Sequence, residues 1–311
     1  MKKQRLSCIL TCIGCLLILL ISACVHAPNR DSDDNDSDDN NHYSYTFEYT
    51  LLEKALAEAL GKVPGEEITP DELATLTHLE IPFYDPLVAN GPYIGAEAEA
   101  LALLAHCVNL RVLDLSGNKI VDLSPLAGLS QLTDLNLSTN RILDLSPLAK
   151  LPSLKRLDLS YNRVSNLSPL AELPSLEWLD LSSNRITDLP LLPGLVNLQR
   201  LDLSKDQLKD LTPLVGMIQL KELYLQDNQI HDSTPLVRLI QIERLYLHNN
   251  MIVDLKPLVD NFGLANNTPV HFEGGFEWRA DVVTVDNNPL SDFSRNVYIP
   301  ALQARGVNVR H

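Results

Sequence analysis

The chain is poor in the residue types that usually announce chemistry. Aromatic side chains make up 5% of its 311 residues, and it holds only 13 glycines, five cysteines and three methionines. No glycine-rich run has the spacing of a phosphate-cradling loop, and His231, His248 and His271 have no serine or cysteine nucleophile at a recognised spacing. Phosphoryl and acyl transfer of the familiar kinds are therefore not expected, and neither is a cofactor or a metal ion. Four of the five cysteines fall within the first 24 residues, leaving Cys107 alone beyond them, so no disulfide framework staples the rest of the chain. Positive charge is also scarce: 25 Lys and Arg stand against 40 Asp and Glu, a formal net charge of −15. A surface of that sign does not draw nucleic acid or an anionic membrane by charge.

What the chain does have is leucine at a fixed spacing. From residue 110 to residue 263 one 22-residue pattern is written seven times, beginning LRVLDLSGNKIVDLSPLAGLSQ at Leu110 and ending IERLYLHNNMIVDLKPLVDNFG. A period of this length is the mark of a solenoid, in which each repeat is one coil stacked on the next. Counting from the first leucine of each repeat, positions 4 and 6 (Leu113 and Leu115 in the first) alternate with a polar position 5, the period of a short strand with one buried face. Stacked coils then form a parallel sheet. Positions 1, 11, 14, 17 and 20 (Leu110, Ile120, Leu123, Leu126 and Leu129) are apolar and point inward. One coil cannot bury enough surface to fold alone, so its neighbours must supply sheet bonds and cover its flat ends.

Position 9 is Asn118, Asn140, Asn162, Asn184, Asn228 and Asn250, but Asp206 in the fifth repeat. An amide both donates and accepts, whereas an ionised carboxylate only accepts, so Asp206 should be a weak point. In five repeats Ser124, Ser146, Ser168, Thr212 or Thr234 precedes a proline, which predicts a hydroxyl-capped helical turn on the side opposite the sheet.

The pattern L-x-x-L-x-L-x-x-N-x-[IVL], continued as D-L-S-P-L-x-x-L, closely resembles the 22-residue leucine-rich-repeat class of bacterial internalins over roughly residues 47 to 311. The resemblance implies an α/β fold: a right-handed solenoid with a parallel concave sheet, a 3₁₀ or irregular convex side, a helical N-terminal cap and a helix-containing C-terminal cap. It also implies that the position-9 asparagines bond turn backbone within and between coils, and that partners bind on the concave sheet. It says little about which partners, because one fold hosts many functions.

Residues 1–23 read as an export signal, with Lys2, Lys3 and Arg5 before an apolar run. Its end, Ile21-Ser22-Ala23-Cys24, resembles a bacterial lipobox, which implies cleavage before Cys24 and lipid on its sulfur; an uncleaved membrane anchor is the competing reading. Loss of the three basic residues with the signal takes the charge from −15 to −18. Either reading places the repeats outside the cytoplasm, lipid-anchored to a bacterial membrane in the first; Val25 stands where an aspartate would signal inner-membrane retention, which leaves an outer membrane open if the host has one. Residues 24–45 hold six aspartates in RDSDDNDSDDNN and should form a solvated tether. Residues 46–109 are expected to hold a helical cap, with a capping box at Thr69-Pro70-Asp71-Glu72 and a first degenerate strand in Leu76–Ile81, followed by a coil about 12 residues too long through Asn90-Gly91-Pro92. Residues 264–311 should hold a loop over 264–281, a strand in VVTVDNNPL, a helix from Ser291 to Ala304, and a last strand after Gly306.

Function should reside where the sheet's outward positions depart from the pattern. Position 5 runs Asp114, Asn136, Asp158, Asp180, Asp202 and then changes to Tyr224 and Tyr246, while position 7 is serine as far as Ser204 and then Gln226 and His248. Positions 3, 5, 7, 8 and 10 are taken as the outward ones. The aspartates Asp114, Asp158, Asp180 and Asp202 repeat with the coil and read first as part of its geometry, second as a site for a basic partner; Arg156 and Arg200 at position 3 are positioned to neutralise them. Trp178, Arg200, Tyr224, Arg244, Tyr246 and His248 depart from the pattern, and exposed Trp, Tyr and Arg dominate interface energies. They point to a protein partner; a polysaccharide stacked on the rings is the alternative, and a passive envelope spacer a third reading. No nucleic-acid partner is expected.

Overall fold

The computed structural model describes residues 51–63, 65–81, 98–265, 268–272, 275–279 and 281–311. The segments read as an export signal and a tether, Cys24, and the stretch through Asn90 expected to be too long for one coil lie outside the described residues.

Each repeat contributes a three-residue strand at its positions 3 to 5: β2 (Val112–Asp114), β3 (Asp134–Asn136), β4 (Arg156–Asp158), β5 (Trp178–Asp180), β6 (Arg200–Asp202), β7 (Glu222–Tyr224) and β8 (Arg244–Tyr246). Their register advances by one repeat per strand, so Leu113, Leu135, Leu157, Leu179, Leu201, Leu223 and Leu245 form one straight inward row. With β1 (His78–Glu80) before them and β11 (Val282–Thr284) and β12 (Asn308–Arg310) after, they make a parallel sheet of ten strands. The leucine rows behind the sheet are almost wholly buried from Leu79 to Val309 and form one continuous core. Cys107 sits in that core at 0% exposure, where burial pushes its thiol up to about 11.

Opposite the sheet, 3₁₀ turns cover Ser124–Leu126, Ser146–Lys150, Ser168–Glu172, Thr212–Gly216 and Thr234–Arg238. Their capping differs from the expected hydroxyl cap. The residue at the capping position is the leucine or serine before the hydroxyl and makes no side-chain cap bond. The acceptor is the side-chain oxygen two residues before the hydroxyl, an amide at Asn166 and a carboxylate in the others: Asp144 Oδ1 accepts from Ser146 N at 2.9 Å and from Ser146 Oγ at 2.6 Å, and Asp210 holds Thr212 in the same way. These hydrogen bonds hold the Asp122, Asp144 and Asp210 carboxyls below the usual range. A turn this tight leaves the hydroxyl inside its first residue, so the shorter-range Asx arrangement wins. The fourth repeat, LPLLPGLVN, forms no such turn, and the seventh forms a short α-helix, α3 (Lys256–Asp260).

Helix α1 (Leu51–Leu60) ends at Gly61 with φ +73°, and α2 (Pro70–Leu73) opens with the full capping box between Thr69 and Glu72. At the far end Ser291 Oγ accepts from Ser294 N at 3.1 Å, starting a π-helical stretch, Ser294–Tyr298, that continues as α4 (Ile299–Ala304). Arg305 then donates to the carbonyls of Val259, Asn261 and Leu264, tying α4 to the last coil. The stretch expected to be a loop is not one: β9 (Thr268–Phe272) and β10 (Gly275–Arg279) pair antiparallel as a hairpin inserted between β8 and β11. TPVHF and GFEWR are rich in β-branched and aromatic residues, the composition that favours strands. Among the described residues no helix is long and apolar enough to cross a membrane.

Candidate binding face

The asparagine row sets how the sheet face is held. Asn162 Nδ2 donates to Leu137 O of the preceding coil at 2.9 Å and to Leu159 O at 3.0 Å, and its Oδ1 accepts from Ile142 N at 3.0 Å. The same pair of donations recurs at Asn140, Asn184, Asn228, Asn250 and, in the C-terminal cap, Asn288. At Asp206 only half of the arrangement survives: Oδ1 accepts from Ile186 N at 3.1 Å, while Oδ2 is buried with no partner. Burial first, and then the charges of Asp202 and Asp180, push this carboxyl up to about 7 against the bonds from Ile186 and Asn184.

Immediately before the asparagine, position 8 is left-handed in every coil, at Gly117 and then at Thr139, Tyr161, Ser183, Lys205, Asp227, Asn249 and Asn287, with φ between 54° and 77°. This sharp reversal turns the chain away from the sheet. At position 7, Ser160, Ser182 and Ser204 of the middle coils are buried and not part of the outward surface as expected, whereas Ser116, Ser138, Gln226 and His248 are half-buried. The backbone N–H groups of the three buried serines, like that of Ser116, donate to the carboxylates two residues earlier: Ser116 to Asp114, Ser160 to Asp158, Ser182 to Asp180 and Ser204 to Asp202, each at 2.9 Å. The aspartate row is thus bound into the strand exits, and desolvation raises the carboxyls of Asp158 and Asp202 despite those bonds. The arginines expected to neutralise this row point elsewhere. Arg156 pairs with Asp134 and Arg200 with Glu222, both at position 3, because side chains at the same position of adjacent strands stand directly beside each other.

Four side chains of the aromatic half lie side by side on the sheet. Trp178, Arg200, Tyr224 and Tyr246 lie on four successive strands, all half-buried. The Arg200 guanidinium carbon is 5.6 Å from the Trp178 ring centroid and 4.6 Å from that of Tyr224. Tyr224 and Tyr246 stack at 4.6 Å with their planes 6° apart. The result is one continuous stack of indole, guanidinium and two phenols along the solenoid axis. Glu222, which sequence reasoning passed over, holds it together: its carboxylate accepts from Arg200 Nη1 at 3.0 Å, from Tyr224 Oη at 3.0 Å, and from Arg244 Nη1. The signal was present in position 3, where Glu222 is the one acid between Arg200 and Arg244. Burial and the bond to Glu222 raise the Tyr224 phenol to about 12. His248 is not part of the stack; its Nδ1 lies 2.8 Å from Thr284 Oγ1 on β11. Two further buried atoms here lack a hydrogen-bond partner, Arg200 Nε and Gln226 Oε1.

Comparison with known proteins fits this geometry. A family model described as leucine-rich repeats in two copies matches residues 108–150, 174–216 and 218–260, and a second leucine-rich-repeat model matches residues 143–186. Internalin C2 of Listeria monocytogenes is 34% identical over 68% of this chain and 89% of its own, with a TM-score of 0.61. The chain belongs to the internalin-like leucine-rich-repeat proteins. Two more distant structures share the fold: another Listeria monocytogenes internalin, 21% identical over 84% of this chain and 90% of its own with a TM-score of 0.57, and a leucine-rich-repeat protein of Leptospira interrogans, 22% identical over 78% of this chain and 62% of its own with a TM-score of 0.58. No curated protein matches the chain. Proteins of this internalin-like class commonly act through contacts with other proteins, and nothing in the aromatic stack or the aspartate row has the arrangement of a nucleophile with its base.

Proposed function

We propose that this internalin-like protein is a non-enzymatic recognition module that binds another protein across the outward face of its sheet, with the contact centred on Trp178, Arg200, Tyr224, Arg244 and Tyr246. The observation that carries this reading is the four-layer stack fixed by Glu222. It presents a rigid surface of Trp, Tyr and Arg whose rotamers are already held, so little conformational entropy remains to be lost on binding. Buried atoms left without partners beside it, Arg200 Nε and Gln226 Oε1, are a cost to the free protein of the kind found at functional surfaces.

The same geometry disfavours a glycan. Sugars stack on ring faces, but Tyr224 has Arg200 over one face and Tyr246 over the other. The Tyr224 hydroxyl is also spent on Glu222, so within the stack a ring face is left for a pyranose only at its two ends, on Trp178 and Tyr246. The aspartate row is a poor second candidate, since its carboxylates already hold the strand exits. Anchoring by lipid on Cys24, outside the cytoplasm, belongs to the same proposal and rests on the lipobox resemblance. The test is capture of partners from cell-envelope extract by the full chain beside a Trp178→Ala, Tyr224→Ala, Tyr246→Ala variant. A protein retained by the first and lost by the second supports the site. Identical retention by both overturns it, and quenching of tryptophan fluorescence by free sugars would favour the glycan.

A further inference from the structure

A second surface departs from the repeat pattern, on the flank where each coil approaches its strand. Position 21 is Ser130, Pro152 and Pro174 in the first three repeats, then Val196, Ile218, Ile240 and Phe262 in the last four. These four are exposed, at 57%, 51%, 59% and 87%, and occupy the same place on adjacent coils. They form one stripe about 15 Å long at the strand spacing of roughly 4.8 Å. Their combined exposed area is roughly 400–500 Å², the size of the largest apolar patch on a typical monomer. At its end the backbone is closely packed, for a Cβ at Gly263 would lie 1.9 Å from Ile240 O.

The polar residues beside the stripe are ordered along it. On the sheet side, the tiers read Val196 with Asn197 and Gln199, Ile218 with Gln219 and Lys221, Ile240 with Gln241 and Glu243, and Phe262 with Gly263. Lys155 and Glu177, at the same position as Lys221 and Glu243 but three coils earlier, form an ion pair at 2.9 Å. Lys221 and Glu243, equally one coil apart, form no ion pair with each other or with any other of the described residues.

We propose that this stripe is the core of a two-fold interface with a second copy of this chain. A two-fold axis lying in the contact plane, between Ile218 and Ile240, runs the two stripes antiparallel and keeps the sheet sides together. It places Ile218 on the second copy's Ile240, Gln219 against Gln241, and Lys221 against Glu243, each contact made twice. Phe262, the largest residue, meets the smallest, Val196. This self-complementarity is what an isologous interface requires. Two such surfaces bury roughly 1,000 Å² with their rims, the lower limit for a specific contact, so the dimer is weak and reversible.

The test is sedimentation of the full chain in mild detergent over a wide concentration range, comparing variants that all carry the same N-terminal segment. The native chain shows concentration-dependent dimers. Lys221→Glu, at an exposed site, and Glu243→Lys, at a half-buried one, each weaken association about tenfold or more by juxtaposing like charges. Mixing the two variants restores it, because each copy then meets the opposite sign at both contacts. A native chain that stays monomeric overturns the proposal, as do dimers indifferent to either reversal, or reversals that mixing does not repair.

Discussion

Replacing Asp206 with asparagine should stabilise the protein, by an amount that depends on pH. The native carboxyl is raised from 3.8 to about 7 by burial at 8% exposure and by Asp202 and Asp180. At about 1.4 kcal/mol per pH unit, that rise corresponds to roughly 4 kcal/mol against the ionised native state. The direction follows from proton counting. Between about pH 4 and pH 7 the folded chain holds a proton on Asp206 that the unfolded chain has lost, so stability falls as pH rises through this window and levels off above it. Below the window the protonated Oδ2 can donate as an asparagine Nδ2 does, and aspartate and asparagine are nearly equivalent. Above it, asparagine restores donation to Leu181 O and Leu203 O, the counterparts of Leu159 O and Leu181 O, which Asn184 reaches one coil earlier at 3.0 Å and 2.7 Å. Urea unfolding of both proteins at pH 4 and pH 8 should therefore give a gain of about 2–4 kcal/mol for Asp206→Asn at pH 8 and less than about 1 at pH 4, with Tm raised by roughly 5–10 °C at the higher pH. Asp281, pushed up to about 6, adds a similar slope to both proteins and cancels in the difference. An equal gain at both pH values, or none at pH 8, would refute the account of the buried Oδ2.

Three further outcomes test other parts of the molecule. Gly194→Ala should destabilise by more than about 2 kcal/mol and lower the Tm accordingly, because a Cβ there would lie 1.7 Å from Ala171 O in the preceding coil, whereas Gly216→Ala, which meets nothing within 4 Å, should be close to neutral. Arg305→Ala should cost about 2–3 kcal/mol in urea unfolding by freeing the carbonyls of Val259, Asn261 and Leu264, and hydrogen exchange should show the last coil and α4 opening first. Asp144→Ala should cost about 1 kcal/mol at pH 7 through loss of the turn cap; since that carboxyl titrates below its usual value, the difference from the native chain should vanish as the pH falls below about 4.

The repeat spacing makes the fold legible because a solenoid's core is a local property. Each leucine's burial is decided by its place within 22 residues and by an identical neighbour, so the inward rows from Leu110 to Leu129 follow from the spacing alone. Cys107 is readable for the same reason. The hairpin at β9 and β10 is not, because it interrupts the period and its pairing is with itself. The turn caps sit two residues earlier than the serine-proline pair suggests, since serine before proline also suits a longer helix, and only the tightness of the 3₁₀ turn moves the acceptor to the aspartate.

The proposed binding face marks where such reading stops. Departure from the pattern located Trp178, Arg200, Tyr224, Arg244 and Tyr246, but departure alone gives no partner for each side chain. Position 3 read down the strands, and not along the chain, gives Arg156, Trp178, Arg200, Glu222 and Arg244, an order in which each charge stands beside a group that can engage it. That order explains why Arg200 leaves the aspartates of position 5, two residues along its own strand, for Glu222 directly across the ladder. It also explains why Glu222 governs the stack: among the described residues its carboxylate is the acceptor shared by both arginines and the Tyr224 hydroxyl. A pattern repeated along the coil builds the scaffold, while the sequence read across coils, where neighbours need not be alike, is what gives the scaffold a distinct surface.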